Sequence, residues 1–295
     1  MGFDTAYEAI TEEADSGHRW AFGTGFADPL AGVDTTVPDG VDGADLGAYC
    51  LMLGDDALIM SHRLQQWLSR APELEEETAL ANIALDLLGQ ARLLLARAGA
   101  ADGTGRGEDD YAFGRLEREF RNVRLAEVAD TDFGGLIARL LVFSTWRLAL
   151  LARLRDSRDP VLAAVAAKGV SEVAYHRDYA ARWAVRLAGG TDYSRGRIEA
   201  GLAAVAPLTA ELFAVTDVER RLIAARVAAG PDGLRAEFDE VIGAVLAEEN
   251  MAWPDAQALG GVAGQAGRHG IHTEAMGYVL AELQSIARTH PGATW

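Results

Sequence analysis

The chain has 295 residues, 49% of them hydrophobic, and a formal net charge of −17. An acidic chain without a Lys/Arg-rich patch is not expected to bind nucleic acid or an anionic membrane, because both favour basic surfaces. Its single cysteine, Cys50, excludes an internal disulfide and is typical of a reducing compartment, so a cytoplasmic location is predicted.

The first 44 residues differ in composition from the rest of the chain. Gly, Asp, Thr and Pro recur there with weak periodicity, which is typical of a flexible arm. Beyond the arm, Ala, Leu, Arg and Glu dominate and β-branched alternation is nearly absent. Residues 45–295 are therefore predicted to form a single helical domain.

Four long amphipathic helices are predicted in that domain, followed by shorter ones. The second follows Pro72 and ends near Gly99, and the fourth begins where Asp159 can cap and Pro160 can occupy the first helical position. The predicted ranges are about 44–70, 72–99, 132–156, 160–190, 194–228, 232–251 and 273–289. This pattern predicts an all-α fold, an elongated four-helix bundle with accessory helices.

The second predicted helix looks like the metal-binding helix of a di-iron carboxylate protein that has lost its ligands. Such proteins carry a Glu-x-x-His pair on each of two helices, because residues three apart share one helix face. Here the pairs fall on Leu87 and Gln90 and on Val173 and His176. Leucine and valine cannot ligate iron, and a neutral amide is a poor replacement for imidazole.

The other two long helices should each add one carboxylate to a di-iron site. Asp55 or Asp56 could do so on the first helix, whereas the third offers Ser144 at the expected level and no carboxylate. The four charges of two divalent irons would be poorly compensated in such a buried site. No metal cofactor is therefore expected in this chain.

An alternative stays open, because Glu172 and His176 lie four residues apart and face the same way. A mononuclear site would draw on Asp55, Asp86, Glu172 and His176. The chain would then be a metal-binding oxidase or oxygenase acting through residual ligands. The competing interpretation is a buried polar network that fixes the register of the helices. A bundle that binds a small molecule on its own is a further possibility.

From Tyr49 to Trp295 the sequence resembles the C subunits of bacterial phenylacetyl-CoA epoxidases. The resemblance rests on Leu53–Asp55, Ala71–Glu75, Ala79–Ile83, Leu85–Arg92, Ser157–Pro160, Tyr175–His176, Thr209–Phe213, Gly270–Glu274, Leu280–Gln284, Pro291–Gly292 and Trp295. It implies a ferritin-like, non-catalytic structural subunit of a multicomponent monooxygenase of aerobic phenylacetate degradation. The implied partners are a homologous A subunit that carries the di-iron centre and a reductase that supplies electrons.

The same resemblance implies that this chain contacts the CoA part of phenylacetyl-CoA. The candidate residues are Glu119, Phe120, Arg121, Asn122, Arg220, Arg221 and Leu222. Arginine suits nucleotide phosphates, and an aromatic ring can lie against adenine. The competing interpretation is a solvated surface with ordinary charge pairs.

Overall fold

The computed structural model describes residues 30–293. Across that range the regular structure is helical, apart from an isolated bridge between Val262 and Gln265. The prediction of an all-α fold is therefore confirmed. The bundle lies in the unit that begins at Val33.

Ten α-helices follow one another along the described chain. They are α1 (Gly43–Gln65), α2 (Leu74–Ala101), α3 (Glu108–Phe113), α4 (Arg124–Glu127), α5 (Phe133–Leu154), α6 (Pro160–Ala188), α7 (Asp192–Val205), α8 (Asp217–Ala224), α9 (Leu234–Ala247) and α10 (Glu274–Thr289). Short 3₁₀ segments lie at Glu117–Glu119, Ala206–Phe213 and Gly267–His269. The bundle consists of α1, α2, α5 and α6, in which α1 packs mainly on α2 and α5 mainly on α6.

Three of the four bundle helices begin at an aspartate whose side chain accepts hydrogen bonds from free backbone N–H groups. Asp42 caps α1 at Ala44 N and Asp45 N, Asp132 caps α5, and Asp159 caps α6. Pro160 occupies the first position of α6, as the sequence predicted, because its missing N–H has no helical partner to lose there.

The prediction of one helical stretch over residues 194–228 is wrong. After α7 the chain tightens into the 3₁₀ segment Ala206–Phe213, where Pro207 has no N–H to donate. A new helix, α8, then begins at Asp217 and is capped by Thr216, which forms a capping box with Glu219. The first helix is also shorter than predicted, because residues 66–70 form turns and Ser69 has a left-handed φ of 85°.

Only the last part of the predicted N-terminal arm lies within the described residues. There the carbonyl oxygen of Thr35 accepts a hydrogen bond from Arg97 on α2, at 2.5 Å, and that of Asp39 accepts one from Arg158, at 3.1 Å. Residues 1–29 of the arm lie outside the described residues.

Two bundle helices, α2 and α5, are each long and apolar enough to cross a membrane by length and composition. In α5 that apolar stretch is 89% buried inside the protein, whereas in α2 it is 44% buried. The apolar character of α5 is therefore explained by the core that it fills. That of α2 leaves an apolar face outside the bundle.

Candidate functional site

The six positions predicted to be remnants of a metal site all lie in the bundle interior. They are Asp55, Leu87, Gln90, Ser144, Val173 and His176. Leu87 and Val173 are fully buried apolar side chains. The Ser144 hydroxyl donates to the carbonyl oxygen of Leu140 one turn earlier, at 2.6 Å, so its donor is satisfied within α5.

The carboxylate of Asp55 is held by groups that are not metal ligands. Arg115 forms a two-pronged pair with it, with an Nη1–Oδ2 distance of 2.9 Å, and the backbone N–H of Arg121 donates to it at 2.8 Å. Its neighbour Asp56 is held likewise by Arg268, at 2.9 and 2.8 Å, and by the backbone N–H of Val123. Both carboxylates of α1 thus fix the segment that follows α3.

The centre of the bundle holds a guanidinium group that the sequence interpretation overlooked. Arg147 of α5 donates from Nε to Gln90 Oε1 on α2, at 3.0 Å, and from Nη1 to the carbonyl oxygen of Leu53 on α1, at 3.3 Å. Gln90 Nε2 in turn donates to Glu172 Oε2 on α6, at 2.9 Å. These four residues, which we call the Arg147 network, join all four bundle helices.

Arg147 is fully buried, and its guanidinium lies 5.8 Å from the centroid of the Phe143 ring. Burial lowers the pKa of Arg147 to about 10, while the nearby charges of Asp56 and Glu172 act in the opposite direction. The group is therefore a cation at neutral pH. Its Nη2 makes no hydrogen bond to any residue in the described range 30–293.

A second polar pair lies one helical turn from Gln90 and Glu172, between the same two helices. His176 Nε2 is 3.0 Å from Asp86 Oδ2, and Lys168 Nζ is 3.3 Å from Glu172 Oε1. Because 86 and 176 pair as 90 and 172 do, α2 and α6 run antiparallel past each other. Asp86 and His176 form one polar contact between α2 and α6, and Gln90 and Glu172 form the next; we call these two pairs the polar ladder. The ladder contains three members of the predicted mononuclear site, Asp86, Glu172 and His176.

The fourth member, Asp55, is engaged by Arg115 and does not join that ladder. Within residues 30–293 no group of three or more His, Cys, Asp or Glu side chains is placed to hold a metal ion. A di-iron pair needs about six protein ligands, mostly carboxylates. The residues present do not fit that centre, and Arg147 places a positive charge where the metals would need negative ones.

A signal for Arg147 was present in the sequence. The stretch 133–154 is almost wholly apolar, yet it contains Arg139 and Arg147. A charge in such a helix needs a buried partner. For Arg139 the partner is Asp130, with an Nε–Oδ1 distance of 2.8 Å. The acceptors of Arg147 lie on other helices. They are an amide oxygen and a backbone carbonyl oxygen, neither of which belongs to a carboxylate or an imidazole.

The first group of predicted CoA contacts lies in the segment that Asp55 and Asp56 hold. Phe120 is fully buried beneath the Arg115 guanidinium, 4.0 Å from its ring centroid. Glu119 accepts from the backbone N–H of Leu116, and Asn122 donates to Glu127. The half-buried Arg121 donates to the carbonyl oxygens of Arg118 and Phe120, at 2.7 and 2.9 Å.

The second group of predicted CoA contacts lies on α8. Leu222 is buried, Arg220 pairs with Asp217, and Arg221 forks onto Asp45 with two contacts of 2.6 Å. Asp45 precedes Asp55 by ten residues on α1, a rise of about 15 Å. The two groups therefore attach to α1 at different levels, and a CoA contact stays a prediction.

The outward sides of α2 and α6 form one surface beside the polar ladder, which we call the outer face. Its members are exposed or half-buried: Leu85, Gly89, Leu93, Ala96, Ala164, Ala167, Ser171 and Tyr175. Leu85 and Tyr175 are its two large exposed side chains, with 46% and 50% of their surface accessible. Small residues surround the two apolar anchors, and Lys168, which pairs with Glu172, lies in the same stripe of α6 as Ala164, Ser171 and Tyr175.

Comparison of the sequence with known proteins identifies its family. A family model described as "phenylacetic acid catabolic protein" matches residues 34–295. The chain is also 41% identical, over 250 residues, to the C subunit of 1,2-phenylacetyl-CoA epoxidase from Escherichia coli (strain K12). That alignment covers 85% of this chain and 99% of the relative. The chain belongs to the phenylacetic acid catabolic protein family.

Proposed function

We propose that this chain is a non-catalytic structural subunit of a cytoplasmic phenylacetyl-CoA epoxidase. The observation that carries the proposal is the bundle centre, where Leu87, Ser144 and Val173 stand at positions that need ligands. The similarity to the C subunit of such an epoxidase supports membership in a complex of several subunits. Redox chemistry would then belong to a homologous di-iron subunit, supplied with electrons by a reductase and acting on phenylacetyl-CoA.

The part of this chain in that complex is to support the catalytic subunit by packing. The outer face suits this task because α2 exposes apolar surface that the bundle itself does not cover. Burying such a surface against a second helical subunit is favourable, by about 25 cal/mol per Å² of apolar area. We propose that the outer face contacts the di-iron subunit and that Leu85 and Tyr175 are its anchors.

The test places a charge at each anchor. Leu85→Asp and Tyr175→Asp are each produced together with the di-iron subunit, and the dissociation constant of the pair is measured after purification. Both side chains are exposed in the isolated chain, so the fold should survive the change. We expect the dissociation constant to rise about tenfold or more, because a central anchor contributes at least 1 to 2 kcal/mol.

A matched control lies on α10, where Ile286 is a large apolar side chain with 61% of its surface exposed. Ile286→Asp adds the same charge away from the outer face and should leave the dissociation constant unchanged. Equal losses in all three variants would instead indicate a general effect of charge. Unchanged binding by both anchor variants would contradict the outer face as the contact surface.

A further inference from the structure

We infer that Arg147 is the resident cation of the bundle centre, where its guanidinium joins the four helices that a metal pair joins in di-iron bundles. A metal centre of that kind takes ligands from four helices and supplies positive charge among buried carboxylates. Arg147 likewise connects four helices and supplies a positive charge, and it belongs to the chain itself. The site would therefore accept a guanidinium group and exclude divalent metal.

The contacts of Arg147 connect the four bundle helices. Arg147 on α5 contacts Gln90 on α2 and Leu53 O on α1, and Gln90 passes the connection to Glu172 on α6. The Gln90 amide suits this middle position, because its oxygen can accept from the cation while its nitrogen donates to the carboxylate.

The charges around Arg147 favour a guanidinium group over a metal ion. The carboxyl groups of Asp56 on α1 and Glu172 on α6 attract Arg147, whereas Arg268, which pairs with Asp56, repels it. A divalent ion placed beside Arg147 would meet a like charge at short range and few free carboxylate oxygens. The guanidinium and a metal ion therefore exclude each other from this centre.

Gly169 on α6 leaves space beside Gln90. A Cβ atom there would lie 2.9 Å from Leu151 Cδ1, which is too close, and 3.4 Å from the Gln90 amide, which is an ordinary contact. The missing side chain therefore leaves room for Leu151 of α5 beside the amide in the seam between α2 and α6. The site around Arg147 is thus built by residues on α2, α5 and α6 together.

The test uses chemical rescue in the isolated chain. Arg147→Ala removes the cation and leaves a space of its shape, and the thermal midpoint is measured with and without low-millimolar ethylguanidinium. The midpoint should fall by about 5 to 10 °C, because a buried charge network loses its centre. Ethylguanidinium should restore part of that loss by binding the folded state. The wild-type chain should show no such gain.

Arg153→Ala is the matched control on the same helix. Its guanidinium pairs with Glu237 near the surface, at 2.8 Å, so Arg153→Ala should lower the thermal midpoint only slightly, and ethylguanidinium should not raise it again.

Arg147→Lys and Arg147→Gln separate charge from hydrogen bonding, and they carry the test if the alanine variant does not fold. The lysine variant keeps a cation and should have the higher midpoint of the two.

Three results would overturn the inference. They are a midpoint of Arg147→Ala equal to that of Arg153→Ala, no rescue of a folded Arg147→Ala by ethylguanidinium, and a glutamine variant as stable as the lysine variant. A rise in the wild-type midpoint with Zn²⁺ or Fe²⁺ would overturn the exclusion of metal. The inference deepens the proposed function, but its test needs no partner subunit. A failure here is therefore distinguishable from a failure of docking.

Discussion

His272 and Glu127 form a buried ion pair that ties the C-terminal part of the chain to α4. Nδ1 of His272 lies 2.7 Å from Glu127 Oε2, and Nε2 lies 3.2 Å from the carbonyl oxygen of Phe120. Both ring nitrogens therefore face acceptors, which a doubly protonated imidazole satisfies. Burial alone would lower the pKa of His272, but the hydrogen bond to Glu127 and its charge raise the pKa above 6.5.

This pair makes stability depend on pH. Because the folded pKa of His272 is raised, the stabilisation is fully present below pH 6.5, the unfolded value, and is lost as pH rises through the folded pKa. We expect the free energy of unfolding in urea to fall over that interval, by about 1.4 kcal/mol for each pKa unit of the shift. His272→Gln should remove this pH dependence.

The half-buried His62 provides the internal comparison. Burial lowers its pKa below 6.5, so its effect on stability appears as pH falls below 6.5, outside the window assigned to His272. His62→Gln should therefore leave the fall above pH 6.5 intact. A wild-type chain whose unfolding free energy stays constant from pH 6.5 to 9 would contradict the assignment to His272.

At the scale of elements, the crossing of α5 and α7 depends on glycine. A Cβ atom on Gly201 would lie 2.8 Å from the carbonyl oxygen of Gly134 and 2.8 Å from the Cα of Gly135. Both are backbone atoms, which cannot move away without shifting α5. The close approach of the two helices therefore requires the absence of a side chain at residue 201.

Gly201→Ala should destabilise the chain by about 1 to 3 kcal/mol, the usual cost of overpacking a helix contact. Gly196→Ala on the same helix is the control, since no atom lies within 4 Å of its Cβ position. That change should be neutral or stabilising by up to about 1 kcal/mol, because glycine weakens a helix interior. Urea midpoints of the two variants measure the difference. Equal midpoints would contradict the close crossing.

The helix ends show how far the sequence determines the elements. Local chemistry fixed the start of α6, because Asp159 caps the helix within three residues of itself. The break between α7 and α8 was missed because the run 206–213 is as apolar as a helix, although Pro207 and the capping pair Thr216 and Glu219 mark the break in the sequence. Periodicity alone does not distinguish the two conformations.

At the scale of the whole molecule, the sequence predicted the positions at which a di-iron site would need ligands but not the contacts that those positions make. The registers of Leu87 and Val173 follow from helix periodicity and need no tertiary information. The Arg147 network joins residues far apart in sequence, so only the packing of four helices reveals it. The same holds for Arg268, which reaches Asp56 from a glycine-rich segment more than two hundred residues away.

We propose that the catalytic iron of the complex lies in a partner subunit and not in this chain. Iron content and oxygen consumption, measured on the chain purified alone and on the chain purified with the di-iron subunit, test it most directly. We expect far less than one iron per chain and no oxygen consumption for the chain alone, with iron appearing when the partner is present. Stoichiometric iron in the isolated chain, coupled to oxygen consumption, would contradict it.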